Sequence, residues 1–486
     1  MSYLIKKPER RSLKQIAKED ILAKTNGFTS EQKKAFESMI DSAAGNIFLT
    51  GSAGTGKSFC VTTAIDYLRR VEGKMVAVTA TTATAAQILS AVTLHHFFGF
   101  GIDLLIDKEG KPTVNAPSTV CNTDVLFTDE ISMISCDAFI SVYHSIQKAN
   151  EKRRRMGKPD IRWICIGDMC QIPPPCSKDT KKTLEQRLGY EIGSGFAFRT
   201  KEWDLCQFNV IELTEVMRQK GKEEFIFHLN KIRLGDGDFT NWFNHNCTLG
   251  YNPNAITILP TNKLVREHNI KRLNEMNGDE IAYHADMFGD ASPEDVEKVG
   301  LDYNLKLKKG CRIMIRCNPH KNARWCYMSA VDEEDYIKYF CNGSTGIYRG
   351  TFLDKRDGRE FLFIELDNGE FVSIYKKQYD IYEYVEEKGI LIKVKTNNSF
   401  SCYPCTLAYA LTCHKAQGMS LSEINVLPQS FESGMLYVAL SRVRGSASNI
   451  YLQDMVRSWD AILSEEAKDF YQKIKQRDEN NNPTKK

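Results

Sequence analysis

The sequence predicts an α/β chain built on two parallel sheets, with a small β-rich unit inserted in its second half. Three observations carry that prediction. Short apolar runs at 47–50, 76–80, 125–129, 163–167 and 210–213 alternate with longer stretches of helical character. A second such series follows at 256–259, 424–427 and 450–452. Between them, from about Gly346 to Cys402, the pattern turns to apolar–polar alternation, and Phe361 to Tyr375 flank an Asn368-Gly369 pair, a strong hairpin signal.

These elements divide the 486 residues, enough for two to four domains with cores of their own. Residues 1–25 read as a basic helical extension. A first α/β domain is expected over 26–212, with a short hairpin insertion near 100–118 whose arms lie at 102–114 and whose turn falls at Glu109-Gly110-Lys111-Pro112. The second α/β domain takes 213–345 and 403–476, the inserted barrel 346–402, and a polar tail, 477–486, is expected to be disordered. No internal repeat of fixed period is present.

Composition narrows the function classes. Hydrophobic residues make up 42%, yet no apolar run approaches a membrane span. The start, Met1 to Asp20, lacks an apolar h-region and mixes acidic with basic residues, so neither a secretory nor an organellar presequence is expected. Net charge is only +3, which confines any nucleic-acid surface to a local groove. The 15 scattered cysteines suit a reducing compartment, the cytoplasm or a nucleus. Cys402-Tyr-Pro-Cys405 lacks a second pair at zinc spacing and reads as structural.

The most specific signal is Gly51-Ser52-Ala53-Gly54-Thr55-Gly56-Lys57-Ser58, which follows the apolar run Ile47-Phe48-Leu49 and opens a helical stretch, Phe59 to Arg70. That is the strand–loop–helix setting of a phosphate-binding loop. Its glycines let successive N–H groups point at an anionic phosphate chain, and the helix N-terminus adds partial positive charge. Lys57 brings a mobile charge to the terminal phosphates, and Ser58 can ligate Mg²⁺. The run 125–129 ends in Asp129-Glu130. Neighbouring side chains at a strand end diverge, so Asp129 can face the metal while Glu130 polarises an attacking water. ATP and Mg²⁺ are the expected cofactors.

Further motifs follow in order: Gly167-Asp-Met-Cys-Gln171-Ile-Pro-Pro174, Leu213-Thr-Glu-Val-Met-Arg218-Gln219, Leu411-Thr-Cys-His414-Lys-Ala-Gln417-Gly418 and Leu436-Tyr-Val-Ala-Leu-Ser-Arg442. Together with the phosphate loop and the carboxylate pair, the series resembles superfamily 1B DNA helicases of the RecD, Dda and Pif type, from about Gly27 to Leu452. The resemblance implies two RecA-like domains in tandem with ATP between them, an SH3-like barrel in the second, and 5′→3′ movement on single-stranded DNA. Single-stranded and forked duplex DNA are the implied partners, with other replication or repair proteins recruiting a nearly minimal motor. The barrel is implied to brace the hairpin at 102–114, which splits the duplex.

The resemblance also assigns residues. Gln32 matches the glutamine that reads the adenine edge, a task an amide's paired donor and acceptor suit. Gln171 matches the residue linking the γ-phosphate to the DNA groove. Arg218 and Arg442 match the two arginines that the second domain brings to the γ-phosphate, where a planar guanidinium fork suits developing charge. Thr82, His95 and Phe97 match the first DNA-binding segment, with Phe97 stacking on a base; core packing is its alternative. Thr261, Asn262 and His414 match contacts in the second domain. Ala83-Thr84 departs from the family's usual Gly-Ile pair. The basic run Lys152–Arg155 is read as a solvated loop.

Three rival classes differ in their motifs. A superfamily 1 RNA helicase or nucleic-acid-stimulated NTPase shares the Gln-Ile-Pro and Gln-Gly motifs, but the Pro173-Pro174-Pro175 run and Thr93-Leu-His95-His96-Phe97 favour the DNA branch. The Gln171-Ile-Pro-Pro sequence disfavours the opposite-polarity DNA helicases. A binding module without motor activity would not be expected to keep Lys57, Glu130, Gln171 and Arg442 together.

Overall fold

Six parallel strands make the first sheet, in the spatial order Val92–Thr93, Val76–Ala80, Val125–Asp129, Arg162–Ile166, Ile47–Gly51, Asn209–Leu213. The computed structural model describes residues 13–81, 92–101, 103–215, 223–235, 238–317, 326–327, 340, 342–355, 358–387, 390–419 and 421–481. The strand feeding the phosphate loop lies one in from the sheet edge, paired on both sides, and Ile47, Phe48 and Leu49 are fully buried. The helix that follows, Lys57–Arg70, turns Cys60, Val61, Ala64, Ile65 and Leu68 to the sheet, the spacing of one helical face. The N-terminal extension is helical over Leu13–Lys24, and Ala17 and Ile21, four residues apart, join the same core.

A second parallel sheet has the order Ala410–Thr412, Ile256–Leu259, Ile424–Val426, Ile450–Leu452, Thr248–Leu249. Ile256–Leu259, Ile424–Val426 and Ile450–Leu452 match the predicted strands. Ala410–Thr412 and the two-residue Thr248–Leu249 were not predicted.

The β-rich insertion is wider than 346–402. The expected hairpin is present, with Glu365 paired to Phe371 across the Asn368-Gly369 turn, where Gly369 takes φ +87°. Its sheet, however, runs Cys326–Tyr327, Phe371–Tyr375, Glu360–Leu366, Thr345–Leu353, Arg312–Ile315, Cys405–Leu407, and so draws strands from both sides of the expected boundaries. The long hairpin Lys377–Glu387 with Ile390–Cys402 pairs instead with Asp286–Phe288. Non-local pairing of short strands leaves little trace in the local pattern.

Four other expectations need correction. The Lys152–Arg155 run is not a loop but the last turn of the helix Cys136–Arg155, where cations oppose the helix dipole. Within it Arg153 is fully buried, donating to the Cys121 and Pro159 carbonyls and to Asp124. The tail is helical as far as Asn481, in the helix Glu465–Asn481. That helix was expected with the second domain, yet Ala467, Phe470, Tyr471 and Ile474 pack into the first unit's core beside Phe48 and Trp203. Of the hairpin expected at 102–114, the described residues form a tight turn around Gly110 closed by the antiparallel bridge Ile106 to Pro112.

Among the described residues no helix is long and apolar enough to cross a membrane, and no group of His, Cys, Asp and Glu is arranged to hold a metal by itself. Apart from Cys326 and Cys341 the cysteines are free thiols, all buried except half-buried Cys176. Burial pushes the Cys402 thiol up to about 12, which leaves it unreactive.

Candidate nucleotide cleft

The phosphate loop is shaped by Gly56, the residue before the helix Lys57–Arg70, with φ +80°. A side chain there would be strained and would collide with Gln32 Nε2, so only glycine fits. Gln32 is buried: Nε2 donates to the Thr55 carbonyl at 2.9 Å, and Oε1 accepts from Thr29 N–H at 3.1 Å as part of a capping box. The sequence placed this glutamine at the nucleotide, and the structure ties it to the loop itself. Each end of its amide keeps a second hydrogen-bonding position for an adenine edge. Thr55 braces the loop by donating to the Ser52 carbonyl. Lys57 Nζ donates to the carbonyls of Gly51 (2.7 Å) and Ser52 (3.0 Å). Burial lowers its pKa, opposed by the charges of Asp168, Glu130 and Asp129.

Asp129 ends its strand, and Glu130 follows in the left-handed region at φ +52°, rare for a residue with a side chain and found where a site imposes it. Thr81 holds this bend: its hydroxyl donates to the Glu130 carbonyl at 2.9 Å and its N–H to the Asp129 carbonyl. Burial, and behind it the Glu130 charge, push the Asp129 carboxyl up to about 7. Gln171 is buried, and its Oε1 has no hydrogen-bond partner among the described residues.

From the second unit, Arg442 reaches the same cleft. It is 5% exposed, donating from Nε to the Val438 carbonyl and from Nη2 to Ser441 Oγ. Gln32, Ala53, Gly54, Gly56, Lys57, Ser58, Asp129, Glu130 and Gln171 on one side and Gly418, Met419, Ser441 and Arg442 on the other line a cavity of about 350 Å³. The donor set fits a nucleoside triphosphate and Mg²⁺. Lys57 and Arg442 are matched to phosphate oxygens, Ser58 and Asp129 are hard oxygen ligands, and the orphaned Gln171 amide oxygen is an acceptor for a hydroxyl or water.

Two residues of the cleft were missed from the sequence. Gln417 is buried, and its Nε2 donates to Glu130 Oε2 (3.2 Å) and Ser132 Oγ (3.3 Å), while its Oε1 has no partner among the described residues. It stood inside a quoted motif, but no role follows from its type. Phe59 lines the cavity near Gln32, is 53% exposed, and meets Phe28 edge-on at 5.4 Å. An apolar residue out of phase with its helix's buried face was the available signal.

Of the expected DNA contacts, His95, Phe97, Thr261, Asn262 and His414 do not line this cavity. Phe97 is half-buried, packed on the core and edge-on to Phe98 at 5.2 Å. His95 is half-buried and its pKa is lowered by burial. Thr261 caps the helix Asn262–Glu275 by accepting from Leu264 N–H, and Asn262 is exposed at its start. His414, half-buried in the turn Cys413–Ala416, lies 4.0 Å from Glu432, and burial lowers its pKa. Thr82, Arg218 and the Ala83-Thr84 pair lie outside the described residues.

Phosphate-loop ATPases that complete their site with an arginine from a second α/β unit form a distinct class, and this cleft has that construction. The PIF1-like helicase family model matches residues 27–244. The chain is 27% identical over 420 residues to the ATP-dependent DNA helicase Pif1 of Bdellovibrio bacteriovorus, covering 84% of each. It is 29% identical over 422 residues to the ATP-dependent DNA helicase PIF1 of Xenopus laevis, covering 82% of this chain but only 57% of that protein. The Bacteroides Pif1 helicase in complex with ADP-AlF3 and single-stranded DNA superposes with a TM-score of 0.74 at 25% identity, over 92% of this chain and 97% of the other. Over these stretches the chain is similar to PIF1-like helicases, the resemblance that the motifs indicated.

Proposed function

We propose that the chain is an ATP-dependent DNA helicase that moves 5′→3′ on single-stranded DNA and unwinds duplex, in replication, recombination or repair. One observation carries this reading: a single cavity is lined by the phosphate loop and carboxylates of one unit and by Arg442 of the other. In the bound state Lys57 and Arg442 contact the phosphates, Ser58 and Asp129 hold Mg²⁺, and Glu130 takes the proton of the attacking water. A phosphate that bridges two units favours a closed cleft, and its loss releases them. Thr82, His95 and Phe97 on the first unit and Thr261, Asn262 and His414 on the second grip DNA, so closure shifts one grip against the other. The relatives are named DNA helicases, and the Bacteroides structure is a complex with single-stranded DNA. The direction rests on the family resemblance.

The test is ATP turnover with Mg²⁺ in the presence of poly-dT or poly-U, with Lys57→Ala as control. Turnover stimulated by poly-dT and lost in the variant is expected. Stimulation by poly-U alone would assign the chain to RNA.

A further inference from the structure

Beside the cleft lies a buried cluster that the hydrolysis scheme above does not use. Asp168 is fully buried, three residues before Gln171. Arg233, from the helix Glu223–Leu234, binds its carboxylate through Nε at 2.9 and 3.1 Å and through Nη2 at 3.0 Å. Burial alone would raise the Asp168 pKa, but Arg233 brings it below the ordinary carboxylate value, so the group is an anion. Two tyrosine hydroxyls also reach it: Tyr437 at 3.2 Å from the helix Met435–Leu440, and Tyr471 at 3.3 Å from the C-terminal helix.

Tyr437 differs from Tyr471 in what else it touches. Its hydroxyl accepts from the phosphate-loop N–H of Ala53 at 2.7 Å, and its helix leads within five residues to Arg442. Burial pushes its pKa well up, so the hydroxyl stays protonated and can donate to Asp168 while it accepts from Ala53. The helix start is fixed at the same place. Gly434, at φ +76°, lies against the Gln171 backbone so closely that an added Cβ would stand 2.7 Å from the Gln171 carbonyl carbon. Tyr471, by contrast, touches Thr50 and Met169 N–H, both within the first unit.

We propose that Tyr437 is a positioning residue for hydrolysis: its hydroxyl, anchored on Asp168, fixes the phosphate loop at Ala53 relative to the helix that presents Arg442. This rests on the hydrolytic reading of the cleft. The ring fills a buried apolar cluster and Asp168 keeps Arg233, so Tyr437→Phe removes the tie while the fold survives.

The experiment measures DNA-stimulated ATP turnover for the parent chain, Tyr437→Phe, Arg442→Ala and the double variant, with poly-dT affinity and Tm alongside. A lost hydrogen bond to a charged network predicts that kcat of Tyr437→Phe falls about tenfold. KM for ATP, DNA affinity and Tm should stay close to the parent's. If Tyr437 acts through Arg442, the double variant turns over no more slowly than Arg442→Ala alone, because residues working as a unit are not additive. Parent-like kcat in Tyr437→Phe, or losses that multiply in the double variant, would overturn the inference alone. A parent chain without turnover would overturn the reading of the cleft together with it.

Discussion

Gln417 Nε2 lies 3.2 Å from Glu130 Oε2, so the carboxylate expected to activate water is held by a side chain from the opposite unit. Glu130 is gripped from its own side too, since Thr81 Oγ1 donates to its carbonyl. Both holds adjoin expected DNA contacts: Thr81 precedes Thr82, and Gln417 follows His414 by three residues. On the proposed reading the carboxylate would then sit between two segments expected to contact DNA, which would give strand binding a direct route to hydrolysis.

Gln417→Ala should accordingly weaken the response to DNA more than the basal rate. Losing one hydrogen bond to a charged group predicts about a tenfold drop in DNA-stimulated kcat. ATPase titrated with poly-dT measures it, and equal losses with and without DNA would make Gln417 a general support of the cleft.

Glu130→Gln should keep nucleotide binding while turnover falls about 10²–10⁴-fold, the usual contribution of a positioned base. Equilibrium binding of a fluorescent ATP analogue beside steady-state ATPase separates the two effects. Unchanged turnover would remove Glu130 from catalysis.

The raised Asp129 carboxyl makes metal binding depend on pH. With its folded value near 7 and its ordinary value at 3.8, the folded chain holds an extra proton between the two. The ionisation cost to stability therefore grows as pH rises through that window and is fully present above about 7. Mg²⁺ needs the carboxylate, so its apparent affinity with ATP should fall by up to about tenfold per pH unit below 7. Titrating Mg²⁺ at pH 6 and 8 checks this against Asp129→Asn, which supplies the pH dependence of the nucleotide itself. Equal slopes in both proteins would contradict the assignment.

Phe97 is the residue on which sequence and structure leave two roles, because a half-buried ring can pack and still present a face. If that face stacks on a base, Phe97→Ala costs about 1–3 kcal/mol in single-strand affinity, roughly five- to 150-fold. Fluorescence anisotropy with a labelled oligonucleotide reads this, with Tm as companion. Normal affinity with a lowered Tm would make Phe97 a packing residue.

The sequence made the nucleotide site legible because its chemistry is local. Gly51 to Ser58 must be contiguous to wrap a phosphate, and Asp129-Glu130 must end one strand. What it hid was non-local. Asp168 meets Arg233, Tyr437 and Tyr471 only after two units and the C-terminal helix have docked, and no spacing encodes that meeting. The insertion was recognised by its Asn368-Gly369 turn but truncated, since its outer strands at 312–315 and 405–407 are short and pair across a long stretch of chain. Arg153 resembled its solvated neighbours until the helix carried it to Asp124.

Strand displacement from duplexes carrying a 5′ or a 3′ single-stranded tail, with ATP and Mg²⁺, tests the proposed function most directly. The cleft construction and the family resemblance predict unwinding of the 5′-tailed duplex, at least about 10³-fold slower turnover in Arg442→Ala, as for an arginine finger, and little action on the 3′-tailed one. Preference for the 3′ tail would contradict the proposed direction, and displacement by Arg442→Ala at the parent's rate would contradict a motor driven across this cleft.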